Sequence, residues 1–172
     1  MSYRPITDVW ILARSKVKFY GAYPAGFLHR ARALLGVSDQ DAVLHVCAGQ
    51  VREYPYRGFG PHDKTVDLDP AVAPDYLMDV RDGLPPGPWA AALIDRPYTL
   101  DDADRYAPKR EALPALNDLI RTAFAVLPND GRVGVLDYIW PSPRNAKEVA
   151  VIAVGTGRNN RARWYTVWER ER

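Results

Sequence analysis

The apolar residues of this chain fall into short runs that polar, turn-forming segments separate. Five of the runs predict buried strands of a parallel sheet, at residues 42–46, 64–68, 76–79, 89–94 and 132–138. Helical spacing predicts one helix that ends at Gly36 and another between Leu113 and Leu127. Two last β-rich runs, 149–154 and 163–168, flank a polar segment that suits a hairpin. The pattern therefore predicts an α/β fold.

Length and composition fit one globular domain. With 172 residues, 47% of them hydrophobic and 26% charged, the chain is long enough to bury a full core without a metal or a disulfide. The apolar run 9–13 is too short for a signal peptide or a membrane span. The single cysteine, Cys47, allows no intrachain disulfide and excludes the Cys-x-x-Cys zinc sites of nucleic-acid deaminases. We therefore expect a cytoplasmic protein with no membrane partner and no metal site.

The net charge of +2 is spread unevenly along the chain. Residues 1–38 carry six basic side chains against one acidic side chain, whereas residues 39–95 carry ten acidic against four basic ones. A basic flank beside an acidic centre suits a protein that holds a phosphate backbone near a carboxylate-lined pocket. A merely solvated surface explains the same distribution, so charge permits nucleic acid as a partner without requiring it.

The most distinctive chemistry stands after the run 89–94, where the chain reads Asp95-Arg96-Pro97-Tyr98. In open α/β sheets, ligands bind at the carboxyl ends of the strands. The tetrapeptide resembles the Asp-Pro-Pro-Tyr motif of DNA methyltransferases that modify the exocyclic amino group of adenine or cytosine. The resemblance implies that Asp95 and the carbonyl of residue 96 accept hydrogen bonds from the target amino group. It also implies that Tyr98 stacks on a base flipped out of its helix.

Arg96 departs from the motif, because the family usually has proline there. Pro97 restricts Arg96 to an extended backbone, which keeps the carbonyl of residue 96 aimed at the substrate. An unpaired guanidinium in the core would be too costly, so we expect the Arg96 side chain to face the substrate. Asp95, Arg96, Pro97 and Tyr98 are thus the predicted catalytic segment.

Three earlier strand ends carry residues suited to a nucleoside cofactor. They are Cys47-Ala48-Gly49 after the first strand, Asp67-Leu68 at the end of the second and Asp79-Val80 at the end of the third. A glycine lets the backbone approach a ligand closely, and an acid such as Asp67 suits ribose hydroxyls. Asp79 suits the amino group of an adenine ring. The ordered set resembles the cofactor half of class I S-adenosylmethionine-dependent methyltransferases, although Gly49 is the only glycine in its loop.

The segment 20–27 resembles the stretch that helps cover the cofactor in circularly arranged amino-methyltransferases. It adds Pro24 to the predicted cofactor contacts and makes Tyr20 and Tyr23 candidates for a lid or for stacking on a base. Phe27 suits the core better than the site.

Five residues have a competing structural interpretation. We expect His45 to be a hydrogen-bonded core residue without a chemical role. Cys47 follows the first strand, whereas the nucleophile of cytosine-C5 methyltransferases follows a proline after the fourth strand, so that chemistry is rejected. Arg158, Arg161 and Arg163 stand near Trp164, where they suit either a nucleic-acid backbone or simple exposure to solvent.

The resemblance implies a Rossmann-like class I methyltransferase with a mostly parallel seven-stranded sheet and a C-terminal antiparallel hairpin. Residues 1–172 form one domain, of which 1–38 are a basic flank with a lead-in helix, and we expect no separate target-recognition domain. The implied activity is S-adenosylmethionine-dependent methylation of an exocyclic amino group of DNA, with adenine N6 favoured. The size resembles compact phage or prophage enzymes. We expect low sequence specificity, or specificity supplied by a homodimer or by a partner.

Two alternatives stay open at this point. One is the same chemistry on RNA or on a small molecule, because a fold does not fix its substrate. The other is a related protein that binds the cofactor or nucleic acid but has lost catalysis. The single glycine in the loop after the first strand and the arginine at position 96 favour this alternative. Binding of S-adenosylmethionine separates the second alternative from an active enzyme, and mass spectrometry of methylated nucleosides separates the substrates.

Overall fold

Strands dominate the computed structural model, which describes residues 4–19, 21–101, 113–157 and 162–171. Within these residues eight strands form one sheet in the order β1-β7-β8-β6-β5-β2-β3-β4. The strands are β1 (Ile6–Leu12), β2 (Val43–Val46), β3 (Lys64–Asp67), β4 (Tyr76–Leu77), β5 (Ala91–Ile94), β6 (Arg132–Asp137), β7 (Ala146–Thr156) and β8 (Arg163–Arg170).

The sheet is parallel except at β8. Strands β4, β3, β2, β5 and β6 pair in parallel, while β8 lies antiparallel between β6 and β7. The predicted mostly parallel sheet with a C-terminal antiparallel hairpin is therefore confirmed. From β2 the chain continues to one side through β3 and β4 and then crosses to β5 on the other side. Such a switch point opens a crevice at the carboxyl ends of the strands.

Strand β1 makes the sheet one strand larger than the predicted seven. It pairs in parallel with β7, from Ile6 opposite Ala150 to Leu12 opposite Thr156. Trp10 and Leu12 are buried, whereas the intervening Ile11 is exposed, as the two-residue period of a strand requires. The partner strand lies more than a hundred residues away in sequence, so the pairing could not be predicted from the local sequence.

Within the described residues, one α-helix packs on each face of the sheet. Helix α1 (Phe27–Leu35) buries its apolar side against strand residues such as Tyr165, whose hydroxyl donates to the carbonyl of Ala31 at 3.1 Å. It ends at Gly36, which has the left-handed φ of 74° expected of that cap. Helix α2 (Leu116–Val126) packs on the opposite face. It begins after Pro114, because proline is excluded from a helix interior. No helix in the described part of the chain is long and apolar enough to cross a membrane.

A buried polar cluster fixes the start of β2. The Asp63 carboxylate lies 2.8 Å from Nη1 of Arg32 and 2.9 Å from Nε2 of His45, and it accepts the backbone N–H of Val43. All three side chains are almost completely buried. His45 is therefore a hydrogen-bonded core residue, as predicted.

Candidate active site

A pocket of about 460 Å³ opens at the carboxyl ends of β2, β3 and β5. The structure brings to this one pocket all the predicted cofactor contacts and the whole predicted catalytic segment. They are Pro24, Cys47, Ala48, Gly49, Asp67, Leu68, Asp79, Val80, Asp95, Arg96, Pro97 and Tyr98. Their individual roles stay predictions. The described residues contain no group of three or more His, Cys, Asp or Glu side chains placed to hold a metal.

The loop after β2 turns sharply beneath the pocket. Cys47 has a φ of 56° and Gly49 a φ of 51°, so both are left-handed. Among the described residues, no atom outside Gly49 and its two chain neighbours lies within 4 Å of the position that a Cβ would occupy, and Gly49 itself lines the pocket. Cys47 adopts a conformation that glycine takes more readily. The loop therefore has the shape of a tight glycine turn although only one of these residues is glycine.

Asp67 supports this loop through its carboxylate. One oxygen, Oδ2, accepts the backbone N–H of Gly49 at 2.8 Å, and Oδ1 accepts those of Leu68 and Asp69 at 2.7 and 3.0 Å. A carboxylate has about four acceptor positions, so one position on Oδ2 is left for a ligand. Asp67 can therefore take one ribose hydroxyl without rearrangement, whereas the sequence suggested both.

Asp79 is already paired in this structure. Its carboxylate accepts Nη2 of Arg81 at 2.7 Å and the backbone N–H of Arg81 at 3.0 Å. The Arg81 side chain is nearly half exposed, so this ion pair is weak and exchangeable. An adenine amino group at Asp79 would therefore compete with Arg81 for the carboxylate oxygens.

The catalytic candidate Asp95 lies beside β2, where its backbone N–H donates to the carbonyl of Val46 at 3.2 Å. Its Oδ1 accepts the Tyr98 hydroxyl at 2.6 Å. Burial raises the pKa of Asp95 to about 7, although the charge of Arg163 and the hydrogen bond from Tyr98 oppose this shift. Asp95 is thus a carboxyl group that changes charge close to neutral pH.

The Tyr98 ring, suggested as a stacking surface, contacts Tyr138 with 4.6 Å between ring centroids. Its hydroxyl donates to Asp95 and accepts a hydrogen bond from Nη1 of Arg163 at 3.3 Å. The Tyr98 hydroxyl is therefore hydrogen-bonded to two side chains, and the ring contacts Tyr138.

The expectation that Arg96 faces the substrate is wrong. Nε of Arg96 lies 2.9 Å from Oδ2 of Asp137, and Nη1 donates to the carbonyl of Pro114 at 3.1 Å. Arg96 is 6% exposed and Asp137 is fully buried. The expectation assumed an unpaired guanidinium, but a carboxylate at the end of the neighbouring strand β6 compensates the buried charge.

Arg163 is the pocket residue that the sequence undervalued most. It belonged to a set of hairpin arginines, of which Arg158 and Arg161 lie outside the described residues. Because β8 is antiparallel, its first residue lies at the edge where the parallel strands end. The strand order therefore places Arg163 in the pocket. The position of Arg163 could have been predicted from the sequence, because the first residue of an antiparallel last strand lies at the edge where the parallel strands end.

The segment between β1 and α1 closes one side of the pocket. Arg14, Ser15, Val17 and Phe19 line the pocket, together with Gly21 to Pro24. The predicted lid residue Tyr20 lies outside the described residues. Tyr23 lines the pocket but is stacked on the buried Phe27, with 5.1 Å between ring centroids. Phe27 itself is in the core, as predicted.

Comparison with known proteins identifies the fold. No protein-family description matches the chain, and no curated protein is significantly similar to it in sequence. TrmN from Thermus thermophilus superposes with a TM-score of 0.53 at 20% identity, over 81% of this chain and 48% of TrmN. An rRNA methylase from Streptococcus thermophilus gives 0.51 at 12% identity, over 88% of this chain and all of that protein. Mitomycin 7-O-methyltransferase MmcR gives 0.50 at 11% identity, over 84% of this chain and 54% of MmcR.

These likenesses show a single-domain Rossmann-like methyltransferase fold. The chain spans about half the length of TrmN. Proteins described as acting on rRNA and on mitomycin share the architecture. The fold therefore leaves the substrate to be argued from the site itself.

Proposed function

We propose that the protein is an S-adenosylmethionine-dependent methyltransferase that modifies an exocyclic amino group of a nucleobase, with adenine N6 of DNA as the first candidate. The observation that carries the proposal is the position of Asp95. Its carboxylate lies at the end of β5, beside the switch point of the sheet, in the same pocket as Gly49 and Asp67. An acceptor for the target amino group and a loop suited to a nucleoside cofactor thus share one pocket.

The residues present fit the cofactor. The open space at Gly49 and the unused acceptor position on Asp67 suit the ribose, and Asp79 suits the adenine ring once Arg81 has exchanged. When bound, S-adenosylmethionine supplies an electrophilic methyl group on a sulfonium. No further group is needed to activate that methyl, so the remaining task of the protein is to orient the acceptor nitrogen.

Asp95 performs that task through a hydrogen bond. The lone pair of an exocyclic amine is delocalised into the base, which makes the nitrogen a poor nucleophile. Ionised Asp95 accepts a hydrogen bond from one N–H of the amino group, and the carbonyl of Arg96 accepts a hydrogen bond from the other. The two hydrogen bonds draw the nitrogen toward tetrahedral geometry and direct its lone pair. Because this interaction strengthens as positive charge develops on the nitrogen, it favours the transition state over the ground state.

A nucleic-acid substrate is supported by the positive charge of the segment between β1 and α1. Arg14 lines the pocket, and Lys16 and Lys18 are exposed in the same segment. Cations close to a pocket suit the phosphates that flank a base inserted into it. The likeness to an rRNA methylase favours RNA as the second candidate substrate.

Transfer of labelled methyl groups to DNA, to RNA and to free nucleosides tests the proposal. We expect incorporation into nucleic acid, recovered as a methylated amino group in nucleoside mass spectrometry. Asp95→Ala should remove the transfer while leaving cofactor affinity nearly intact, because in this proposal Asp95 binds the reacting amine and not the cofactor. Asp118→Asn, which changes an exposed carboxylate on α2, is the matched control and should be fully active.

Cofactor binding is measured separately by thermal shift. S-adenosylmethionine should raise the melting temperature by mass action. Asp67→Ala should weaken this binding by about 1–3 kcal/mol, the cost of an unpaired ribose hydroxyl. No thermal shift at millimolar ligand would contradict the cofactor assignment. An Asp95→Ala protein with the wild-type transfer rate would contradict the mechanism.

A further inference from the structure

The Tyr98 hydroxyl lies between two groups of opposite hydrogen-bonding character. It is 2.6 Å from Oδ1 of Asp95 and 3.3 Å from Nη1 of Arg163. An ionised carboxylate only accepts hydrogen bonds and a guanidinium only donates them. The hydroxyl therefore donates to one neighbour and accepts from the other.

Arg163 has few partners for a guanidinium in a pocket wall. Among the described residues its side chain makes one hydrogen bond, to the uncharged Tyr98 hydroxyl, out of five available donors. The nearby Asp137 carboxylate is committed to Arg96. The Arg163 side chain is partly exposed where it lines the pocket, so its remaining donors are accessible to an acceptor atom of a ligand.

Asp95 and Arg163 together present an acceptor beside a donor. The complementary ligand edge offers a donor beside an acceptor, which is what an amino group next to a ring nitrogen provides. Adenine has this pattern at N6 with N1 or N7, and cytosine has it at N4 with N3. The Watson–Crick edge of guanine instead places an N–H beside its amino group, so that two donors would face each other at Arg163.

Building on the proposed function, we infer that Arg163 is a specificity-determining residue that donates to the ring nitrogen adjacent to the target amino group. In the free protein the Tyr98 hydroxyl occupies this position between Asp95 and Arg163. The incoming base replaces the hydroxyl with the same pair of hydrogen bonds, and the released Tyr98 ring becomes available for stacking. The carboxylate and the guanidinium balance each other, so the base enters a site without net charge.

The test pairs an atomic change in the substrate with a change of Arg163. Oligonucleotides carry adenine, 1-deazaadenine or 7-deazaadenine at the methylated position, or 3-deazacytosine where cytosine is the target. The enzymes are the wild type, Arg163→Met and the control Arg170→Met. Arg170 lies at the other end of β8, where it donates to Asn129 at 3.0 Å, outside the pocket.

We expect the wild type and Arg170→Met to lose roughly tenfold in kcat/KM when the recognised ring nitrogen becomes carbon. Arg163→Met should lose a similar factor on the natural base and lose nothing more on that analogue. An Arg163→Met enzyme that keeps the full analogue penalty overturns the inference while the proposed function stands. Absence of amino-group methylation on every nucleic acid overturns both.

Tyr98→Phe tests the exchange of hydroxyl for base. The ring is kept but its hydroxyl no longer competes, so the dissociation constant for the oligonucleotide should fall by up to roughly tenfold. Tyr98→Ala, which removes the ring as well, is measured beside it. If Tyr98→Phe raises the dissociation constant as far as Tyr98→Ala does, the hydroxyl supports substrate binding, and the exchange of the hydroxyl for the base is overturned. Equal melting temperatures and equal binding of S-adenosylhomocysteine serve as controls for folding in every variant.

Discussion

Replacing Arg96 with methionine should destabilise the fold strongly, because it would leave the Asp137 carboxylate buried without its cation. The pair spans β5 and β6, with 2.9 Å between Nε and Oδ2, and neither side chain is more than 6% exposed. Breaking a buried pair from one side costs about 3–5 kcal/mol, since the remaining charge is uncompensated. The hydrogen bond from the backbone N–H of Ile139 to Asp137 stays in place and limits the loss. We therefore expect the lower half of that range.

The matched control removes the charge of the partner as well. Asp137→Asn keeps an oxygen for the backbone N–H of Ile139 but is neutral. The double variant Arg96→Met/Asp137→Asn should therefore be more stable than Arg96→Met alone. In a double-mutant cycle we expect a coupling free energy between the two residues of about 1–3 kcal/mol. Urea unfolding of the four proteins provides the free energies.

The pH dependence of the loss identifies its cause. Burial raises the pKa of Asp137, and Arg96 holds that shift in check. Without Arg96 the pKa rises further, so the buried carboxyl becomes neutral at mildly acidic pH. A group whose pKa is higher in the folded state loses its stabilising contribution as the pH rises through that pKa. The deficit of Arg96→Met should thus be small at pH 5 and full at pH 8. A deficit below about 1 kcal/mol at pH 8, or one that Asp137→Asn does not relieve, refutes the buried-pair explanation.

Two further predictions concern the pocket itself. The methyl-transfer rate should rise with pH through a midpoint of about 7, because only ionised Asp95 accepts the hydrogen bond from the amino group. Arg163→Met should move this midpoint upward, because Arg163 lowers the pKa of Asp95. A pH-independent rate would contradict this role of Asp95. Burial raises the pKa of the Cys47 thiol, so a thiol reagent should modify it slowly at pH 7.5, and more slowly still with S-adenosylhomocysteine bound. Labelling as rapid as in the urea-unfolded protein would contradict the burial of the Cys47 thiol in the loop after β2.

Much of the sheet could be predicted because its signals are local. Each run such as 89–94 is apolar over the length of a strand, and the residue that follows it must lie at the carboxyl edge of a parallel sheet. Asp67, Asp79 and Asp95 were therefore placed around one pocket without any knowledge of their contacts. Position along a strand was enough to predict proximity.

Side-chain direction at the site could not be predicted in the same way. Arg96 turns into the core because Asp137, 41 residues later, lies at the end of the adjacent strand. Arg163 reaches Tyr98 across 65 residues, because β8 runs antiparallel to β6. Both outcomes depend on which carboxylate or hydroxyl a long cation can reach after the sheet has formed. Residue type and spacing do not contain that information.

Strand β1 shows how the same long-range pairing completes the pocket. Its parallel pairing with β7 brings its carboxyl end to the edge of the sheet where the other parallel strands also end. The chain then turns back toward α1, and a hydrogen bond of 2.9 Å from the backbone N–H of Ala25 to the carbonyl of Ala13 joins the two ends of this segment. The residues between these anchors reach the pocket, with Val17 and Phe19 on its wall. The pairing of β1 thereby brings Arg14, from a flank remote in sequence from Asp95, to the wall of the same pocket, with Lys16 and Lys18 exposed in the same segment.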